Sequence, residues 1–387
     1  MKKILKGIKN LGGDIYDKLY IQYRIRSFRK FYSDSYFCKE VVPVLTDEEK
    51  NQIDGFYLEN YGKKVDYRYH NLFKFYSGKF DEKCIVDEIQ VPKLFRFVND
   101  VSFIDVMSNK NFLPLVAKAA GVKTPEVVVF SMRDLFYDKD YNIISREEAK
   151  NLLRGEDKLF IKPTVETGGG KNCQIIDKES CSEGLNDEEI EEIFHSFGTD
   201  FAVQRIVNTY EPVKRLHPSS VNTFRVVTYI YDGKIHNGLG VLRMGGGGSR
   251  VDNASKGGLY IGVRDDGTFN DYATSEYDGV GGIEKHQDSG IVFKGYKIDR
   301  YPQVIEAAKR IHALVPQIGV MDWDFTIDEN GEPVLIESNC RNGGGIQMSQ
   351  CNFGEGFFGE NTAGILNWLR KAEKLRKSQR DKLKIHM

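Results

Sequence analysis

The residues best suited to chemistry lie in one stretch, Met321 to Asn339. Asn330-Gly331 in its middle is the dipeptide favoured by a two-residue type I′ hairpin turn. Folding the stretch there sets Asp324 opposite Glu337 and Asp322 opposite Asn339. All four then share a face, because alternate strand residues point the same way. Trp323, Phe325 and Ile327, with Val334 and Ile336, fill the other face as core. Like charges opposite one another destabilise a sheet, so three carboxylates and an amide call for a neutralising partner. Hard oxygen ligands suit Mg²⁺, which usually takes one or two carboxylates and leaves positions for phosphate oxygens. A solvated polar face, or one Lys or Arg, would serve as well.

Cations recur elsewhere in the chain. Lys162 ends an apolar strand just before Glu166-Thr167-Gly168-Gly169-Gly170-Lys171, and glycines let backbone N–H groups wrap an anion and let a loop close as a lid. Arg225 lies within the strand Thr223-Phe-Arg-Val-Val. A buried lone Arg needs an anion, either a phosphate or one of the hairpin carboxylates. On an edge strand it would simply be hydrated. Arg250, Asn253 and Lys256 sit in a glycine-rich loop, Gly245–Gly258, that suits an anionic or polar substrate and equally suits a plain connection.

These residues need a scaffold of alternating elements. The helix over Asn111–Ala120 ends at Gly121 and leads into a strand at Val127–Phe130. Glu147–Arg154 reads as a helix, and Leu159–Lys162 and Cys173–Ile176 as strands. Helix Asp187–Phe197 carries acids in its first turn, as its dipole favours, and a strand follows over Phe201–Val207. Strands Thr223–Tyr231 and Lys234–Leu242 flank Asp232-Gly233, a second tight-turn signal. Strand Leu259–Val263, helix Ile305–Leu314 and a basic helix over 361–380 complete the pattern, which is α/β (α+β). Residues 1–95 are helical and aromatic. The divisions expected are 1–95, 96–155, 156–210 and 211–387, as befits a 387-residue chain too long for one small core.

A net charge of −1 offers no global field for nucleic acid. The six cysteines have no metal-binding spacing and read as cytoplasmic thiols. No histidine pair, Gly-x-Ser-x-Gly elbow or Walker loop is present. No apolar run has transmembrane or signal-peptide character. The first thirty residues carry nine Lys or Arg against Asp14 and Asp17, with Ile4, Leu5, Ile8, Leu11, Ile15 and Leu19 at helical spacing. A basic amphipathic helix can lie on an anionic membrane surface. The plainer expectation is a helix docked on its own domain with lysines outward, interrupted at Gly12-Gly13.

Over roughly residues 105–350 the chain resembles the ATP-grasp superfamily. The resemblance rests on Ser108-Asn-Lys110-Asn-Phe, Phe160-Ile-Lys162-Pro, the glycines 168–170, Val203-Gln-Arg-Ile206, Arg225, Arg250…Asn253…Gly257, and Asp324 with Glu337-Ser-Asn339. Within it the chain looks most like the sugar-transfer-associated proteins of polysaccharide synthesis. The resemblance implies two α+β subdomains clasping ATP, behind a mostly helical N-terminal extension. It implies phosphate contacts from Lys110 and Lys162, closure by Thr167–Lys171, an adenine hinge at Gln204, Arg205 and Ile206, and a ribose contact from Glu211. Asp324, Glu337 and Asn339 would ligate one or two Mg²⁺, with Mn²⁺ able to substitute. Arg225, Arg250, Asn253 and Lys256 would face the transferred phosphoryl group. Asn109 and Gln204 depart from the Asp and Glu common in relatives.

The function so implied is a carboxylate–amine ligase working through an acyl phosphate and joining an amino acid to a sugar or sugar acid. A hydroxyl kinase and a non-catalytic partner module of a glycan-synthesis complex are the alternatives. Small-molecule substrates are expected. The basic N-terminus would serve any peripheral contact with the inner membrane face or a glycosyltransferase.

Overall fold

The computed structural model describes residues 2–34, 41–164, 172–178, 184–249, 257–275, 280–341, 343–375 and 377–380. Two antiparallel sheets organise them. The first has six strands in the order β3-β2-β1-β6-β4-β5, built from β1 (Val127–Met132), β2 (Leu135–Tyr137), β3 (Ile143–Ile144), β4 (Lys158–Pro163), β5 (Gln174–Asp177) and β6 (Phe201–Arg205). Two helices, Arg146–Leu153 and Asp187–Phe197, pack on it through Ala149, Leu153, Ile190 and Phe194. Both begin with a complete capping box, from Ser145 with Glu148 and from Asn186 with Glu189.

The second sheet has eight strands. Its main order is β12-β11-β10-β9-β7-β13-β14, and β8 pairs with β7. The strands are β7 (Thr223–Tyr231), β8 (Lys234–Asn237), β9 (Gly240–Met244), β10 (Leu259–Val263), β11 (Phe269–Ser275), β12 (Val280–Ile283), β13 (Val320–Ile327) and β14 (Pro333–Asn339). The strand expected over Lys234–Leu242 is therefore two strands. They part at Gly238, where a side chain would run into the Phe357 ring. Asp232 and Gly233 both take positive φ, as the predicted tight turn requires.

Alternation divides the faces of this sheet. Phe224, Val226, Leu242, Met321, Trp323 and Phe325 point to one side and meet the helix Tyr301–Ala313. Val227, Tyr229, Val241 and Tyr260 point to the other. There they meet residues from the N-terminal helices, among them Tyr57, Tyr69, Phe73 and Leu94. The 1–95 segment thus shares a core with the C-terminal half. Residues Ile104 to Val122 join the core on the opposite face, whereas the first sheet begins at Val127. The expected boundary at 155/156 falls inside that first sheet.

The N-terminal helix, α1 (Lys2–Asp34), runs through Gly12-Gly13 without the expected break. Tertiary contacts outweigh glycine's weak propensity. Asp17 is forked by Arg96 and Arg380, Arg29 pairs with Glu88 at 2.6 Å, and Tyr32 donates to Asp87 at 2.6 Å.

Asn99 joins the N-terminal segment to the hairpin. Fully buried, its Nδ2 donates to the carbonyls of Val320 (2.9 Å) and Cys340 (2.7 Å), and its Oδ1 accepts from the N–H groups of Gly319 and Val320, both at 2.9 Å. Asn99→Ala would orphan four buried backbone groups. It should lower stability by about 3 kcal/mol, read as a reduced urea midpoint.

Candidate active site

The hairpin of β13 and β14 sets Asp324 opposite Glu337 and Asp322 opposite Asn339, as expected. It reaches that register by another route. The loop is one residue longer than a two-residue turn: Asp328 N–H donates to the Glu332 carbonyl at 2.9 Å, Gly331 N–H to the Asp328 carbonyl at 2.8 Å, and only Gly331 is left-handed. Asp328 Oδ1 accepts from the N–H groups of Asn330 and Glu332 and holds the loop. This shifts the register by one residue, and a bulge at Ile336 restores it before Glu337. Leu335, not Ile336, consequently enters the core.

Arg225 lies on β7 directly across from Asp324. Its Nε donates to Asp324 Oδ1 at 2.7 Å and its Nη2 to Oδ2 at 2.5 Å, while Nη1 donates to the Gly343 carbonyl. Of the two partners open to it, Arg225 therefore takes the hairpin carboxylate. These bonds engage three of the five guanidinium N–H donors. Arg243, on β9 and on the same face, adds a 3.3 Å contact to Asp324 Oδ2. Burial would raise the Asp324 pKa, but the two guanidiniums hold it below the ordinary carboxylate range. For Glu337, burial and the neighbouring Asp324 charge push the pKa up.

Two lysines approach from the other side. Lys110 N–H donates to the Thr164 carbonyl at 3.0 Å, tying the segment after the Val101–Met107 helix to the end of β4. This brings Lys110 Nζ to 3.8 Å from Glu337 Oε2. Lys162 is buried at the end of β4. Burial, and then the neighbouring Lys110 charge, lower its pKa to about 8, against an opposing pull from Glu337. Asn339 Nδ2 stands 3.5 Å from both Asp324 Oδ2 and Glu337 Oε1. Rotating that amide by half a turn presents its oxygen instead. Two carboxylates and an amide oxygen then converge as a hard donor set that fits Mg²⁺. Among the described residues no three His, Cys, Asp or Glu cluster as a metal site, so the set stays at two carboxylates, with room for phosphate oxygens.

Arg243 lies one residue beyond the strand that the sequence predicts over Lys234–Leu242. The alternation of β9 puts it on the face of Arg225. Asp322 is fully buried, with Oδ2 accepting from Gly345 N–H at 2.8 Å and Oδ1 without a partner. Burial raises its pKa to about 7 against the pull of Arg225. Gly343 and Gly345 let the chain pass over Asp322 and Val227, where a side chain would collide with both.

The connection between the sheets leaves β6 after Arg205. Gln204 is buried there, whereas the Arg205 side chain is exposed and pairs with Glu126 and Glu156 at 2.5 and 2.6 Å. Only the Arg205 backbone is then available to a hinge. Beyond Ile206 the chain joins the hairpin loop, with Tyr210 N–H on the Ile327 carbonyl and Glu329 N–H on the Asn208 carbonyl, both at 2.9 Å. Glu211 opens the short helix Glu211–Lys214 and is exposed, near Tyr296. Thr167, Gly168, Gly169, Gly170 and Lys171, with Arg250, Asn253 and Lys256, lie outside the described residues.

Two sheets joined by one short crossing, with lysines from one side meeting an acidic hairpin on the other, define the ATP-grasp class. The chain belongs to the family described as sugar-transfer associated ATP-grasp, whose model matches residues 90–363, more than half of its length. No curated protein matches it in sequence. Among solved structures it is similar to an L-amino acid ligase from Bacillus licheniformis (15% identity, TM-score 0.36, 63% of this chain and 43% of that one). It is also similar to a D-alanine–D-alanine ligase from Helicobacter pylori (13%, 0.37, 69% and 58%). A third is a biotin carboxylase from Campylobacter jejuni (12%, 0.41, 71% and 48%). The chain thus spans about half the length of these proteins.

Arg225→Met should strand a buried Asp324 charge and cost about 3–5 kcal/mol. Adding Asp324→Leu should recover most of that, read from urea unfolding of both variants. Lys162 bears the opposite sign. Its charged form is disfavoured in the fold, so the cost is fully present below pH 8 and is relieved as pH rises toward the unfolded value of 10.5. Lys162→Met should therefore stabilise the ligand-free protein at pH 7 by on the order of 2 kcal/mol, with the gain fading above about pH 9.

Proposed function

We propose that the protein is an ATP- and Mg²⁺-dependent carboxylate–amine ligase of ADP-forming type. The observation that carries this reading is the opposition of Lys110 and Lys162 to the Asp324, Glu337 and Asn339 oxygens across the junction of the two sheets. Cations on one wall and hard oxygen donors on the other complement the charge pattern of a metal–triphosphate.

The chemistry asks little covalent work of the protein. A substrate carboxylate oxygen attacks the γ-phosphorus of ATP and the bond to ADP breaks, giving an acyl phosphate. An amine then attacks the acyl carbon, phosphate leaves, and the amine loses a proton to give the amide. Lys110 and Lys162 hold the phosphate oxygens and neutralise the charge that builds as ADP leaves. Asp324, Glu337 and Asn339 would hold Mg²⁺, which would supply Lewis-acid neutralisation of phosphate charge. Arg225 and Arg243 keep Asp324 ionised and fixed in place. Backbone groups at Gln204, Arg205 and Ile206 line the crossing for adenine, and Glu211 is assigned to the ribose. Arg250, Asn253 and Lys256 are assigned to the acyl phosphate on the family resemblance.

The family description, sugar-transfer associated, supports a sugar or sugar acid as one substrate; an amino acid as the other and surface polysaccharide as the destination rest on the resemblance read in the sequence. Dependence on ATP supports a cytoplasmic placement of the reaction. Phosphate release with ATP and Mg²⁺ should require both a carboxylate and an amine from a panel of amino acids and sugar acids. ADP appearing without phosphate, alongside a phosphorylated hydroxyl, would assign a kinase instead. Glu337→Ala should cut turnover by about a thousandfold while circular dichroism stays unchanged. Turnover retained in that variant would remove the hairpin from the reaction.

A further inference from the structure

Helix α1 has two apolar faces, and only one is used by the fold. Ile21, Phe28 and Tyr32 pack inward, beside the buried Asp17 and its Arg96 and Arg380 partners. Ile15, Tyr16, Leu19 and Tyr23 are 51%, 62%, 62% and 67% exposed. At 3.6 residues per turn these four fall within about 100° of arc. Ile15 and Leu19 belong to the face that the sequence pattern assigned to docking on the helix's own domain. The structure turns that face outward, because Asp17 and its two arginines bring the opposite side of the helix to the core.

Single exposed apolar residues are ordinary, but a contiguous stripe of them is a surface the fold leaves largely open; Tyr16, at its margin, lies under Arg96 at 5.7 Å and beside Tyr20, and Ile15, Leu19 and Tyr23 carry the open face. Its charge indicates what covers it. Arg26 and Lys30 lie on the same arc and are exposed, and exposed Lys18 flanks it. The acids Asp14 and Asp17 fall on the far side, and between residues 12 and 30 no acid reaches this arc. The cationic excess is local, since the chain as a whole carries −1. A second copy of the helix would set cation against cation across an isologous contact. A surface of lipid phosphates offers the opposite charge, with a depth of acyl chain for Ile15 and Leu19. Tyr16 and Tyr23 have the ring-plus-hydroxyl character that favours the headgroup level. Among the described residues no helix is long and apolar enough to cross a membrane, so the contact would be in-plane.

We infer that α1 is an interfacial helix that lays the Ile15–Tyr16–Leu19–Tyr23 face on an anionic phospholipid surface. The full chain should sediment with vesicles of phosphatidylcholine and phosphatidylglycerol, at least about tenfold more tightly than with phosphatidylcholine alone, and added salt should weaken it. The double variant Leu19→Glu, Tyr23→Glu should lose that binding by about tenfold or more, with an unchanged thermal midpoint. Absence of wild-type binding to the mixed vesicles would overturn the inference, as would undiminished binding by the variant. An oligomer in the wild type that the variant dissolves would also overturn it, by showing that a second copy covers the face.

Discussion

The structure turns on one buried ion pair. Arg225 and Asp324 face each other across β7 and β13, and the fork of two hydrogen bonds gives Asp324 one orientation. Burying either charge alone would be prohibitive, and burying both is tolerable only because the geometry is bidentate and the third nitrogen donates to the Gly343 carbonyl. That last contact fixes the chain crossing above the hairpin, and the same crossing supplies Gly345 N–H to Asp322. Two carboxylates and one loop are thus held by a single guanidinium and its neighbours. Glu337, half-buried beside this anchored group, is the carboxylate left for the lysines.

The two sheets contribute opposite signs to the cleft. Lys110 and Lys162 arrive on segments tied to the end of β4, and the acids on a hairpin tied to the other sheet. Neither wall is at ease by itself. Lys110 depresses its neighbour Lys162, and Asp324 raises its neighbour Glu337. Each like-charge strain would be relieved by a ligand carrying both signs, anionic oxygens toward the lysines and a cation toward the acids. A site strained in this way trades some stability of the empty protein for affinity toward a charged ligand.

Much of this was legible in the chain. Period-two alternation places Asp322, Asp324, Glu337 and Asn339 on one face, and the strands it predicts over Thr223–Tyr231 and Leu259–Val263 have those bounds in the structure. What escaped were features set by tertiary contact. The bulge at Ile336 and the longer loop compensate each other, so pairing at the site came out right while Ile336 and Leu335 exchanged places. A buried Arg225 needs an anion, but only strand order shows that the anion is Asp324. Arg243 required knowing that β9 continues past Leu242, and Asp322 required seeing a glycine run pass over it. The position 155/156 lies within one sheet because sequence order is not sheet order: β6 inserts between β1 and β4.

The N-terminal segment is the part that a general ATP-grasp pattern does not anticipate. Val227, Tyr229, Val241 and Tyr260 share their sheet face with Arg225 and Arg243, so this face is ionic at one end and apolar at the other. An apolar half-face next to a charged cleft must be covered, or water would screen the Arg225–Asp324 pair from beneath. Tyr57, Tyr69, Phe73 and Leu94 provide the cover, and Asn99 and the pairing of Ile85 N–H with Gln350 Oε1 at 2.7 Å lock it down. The extension is therefore part of the dielectric environment of the site. Since α1 is fastened to that same cover through Asp17 and Glu88, whatever engages its outer face takes hold of a body that is continuous with the floor of the cleft.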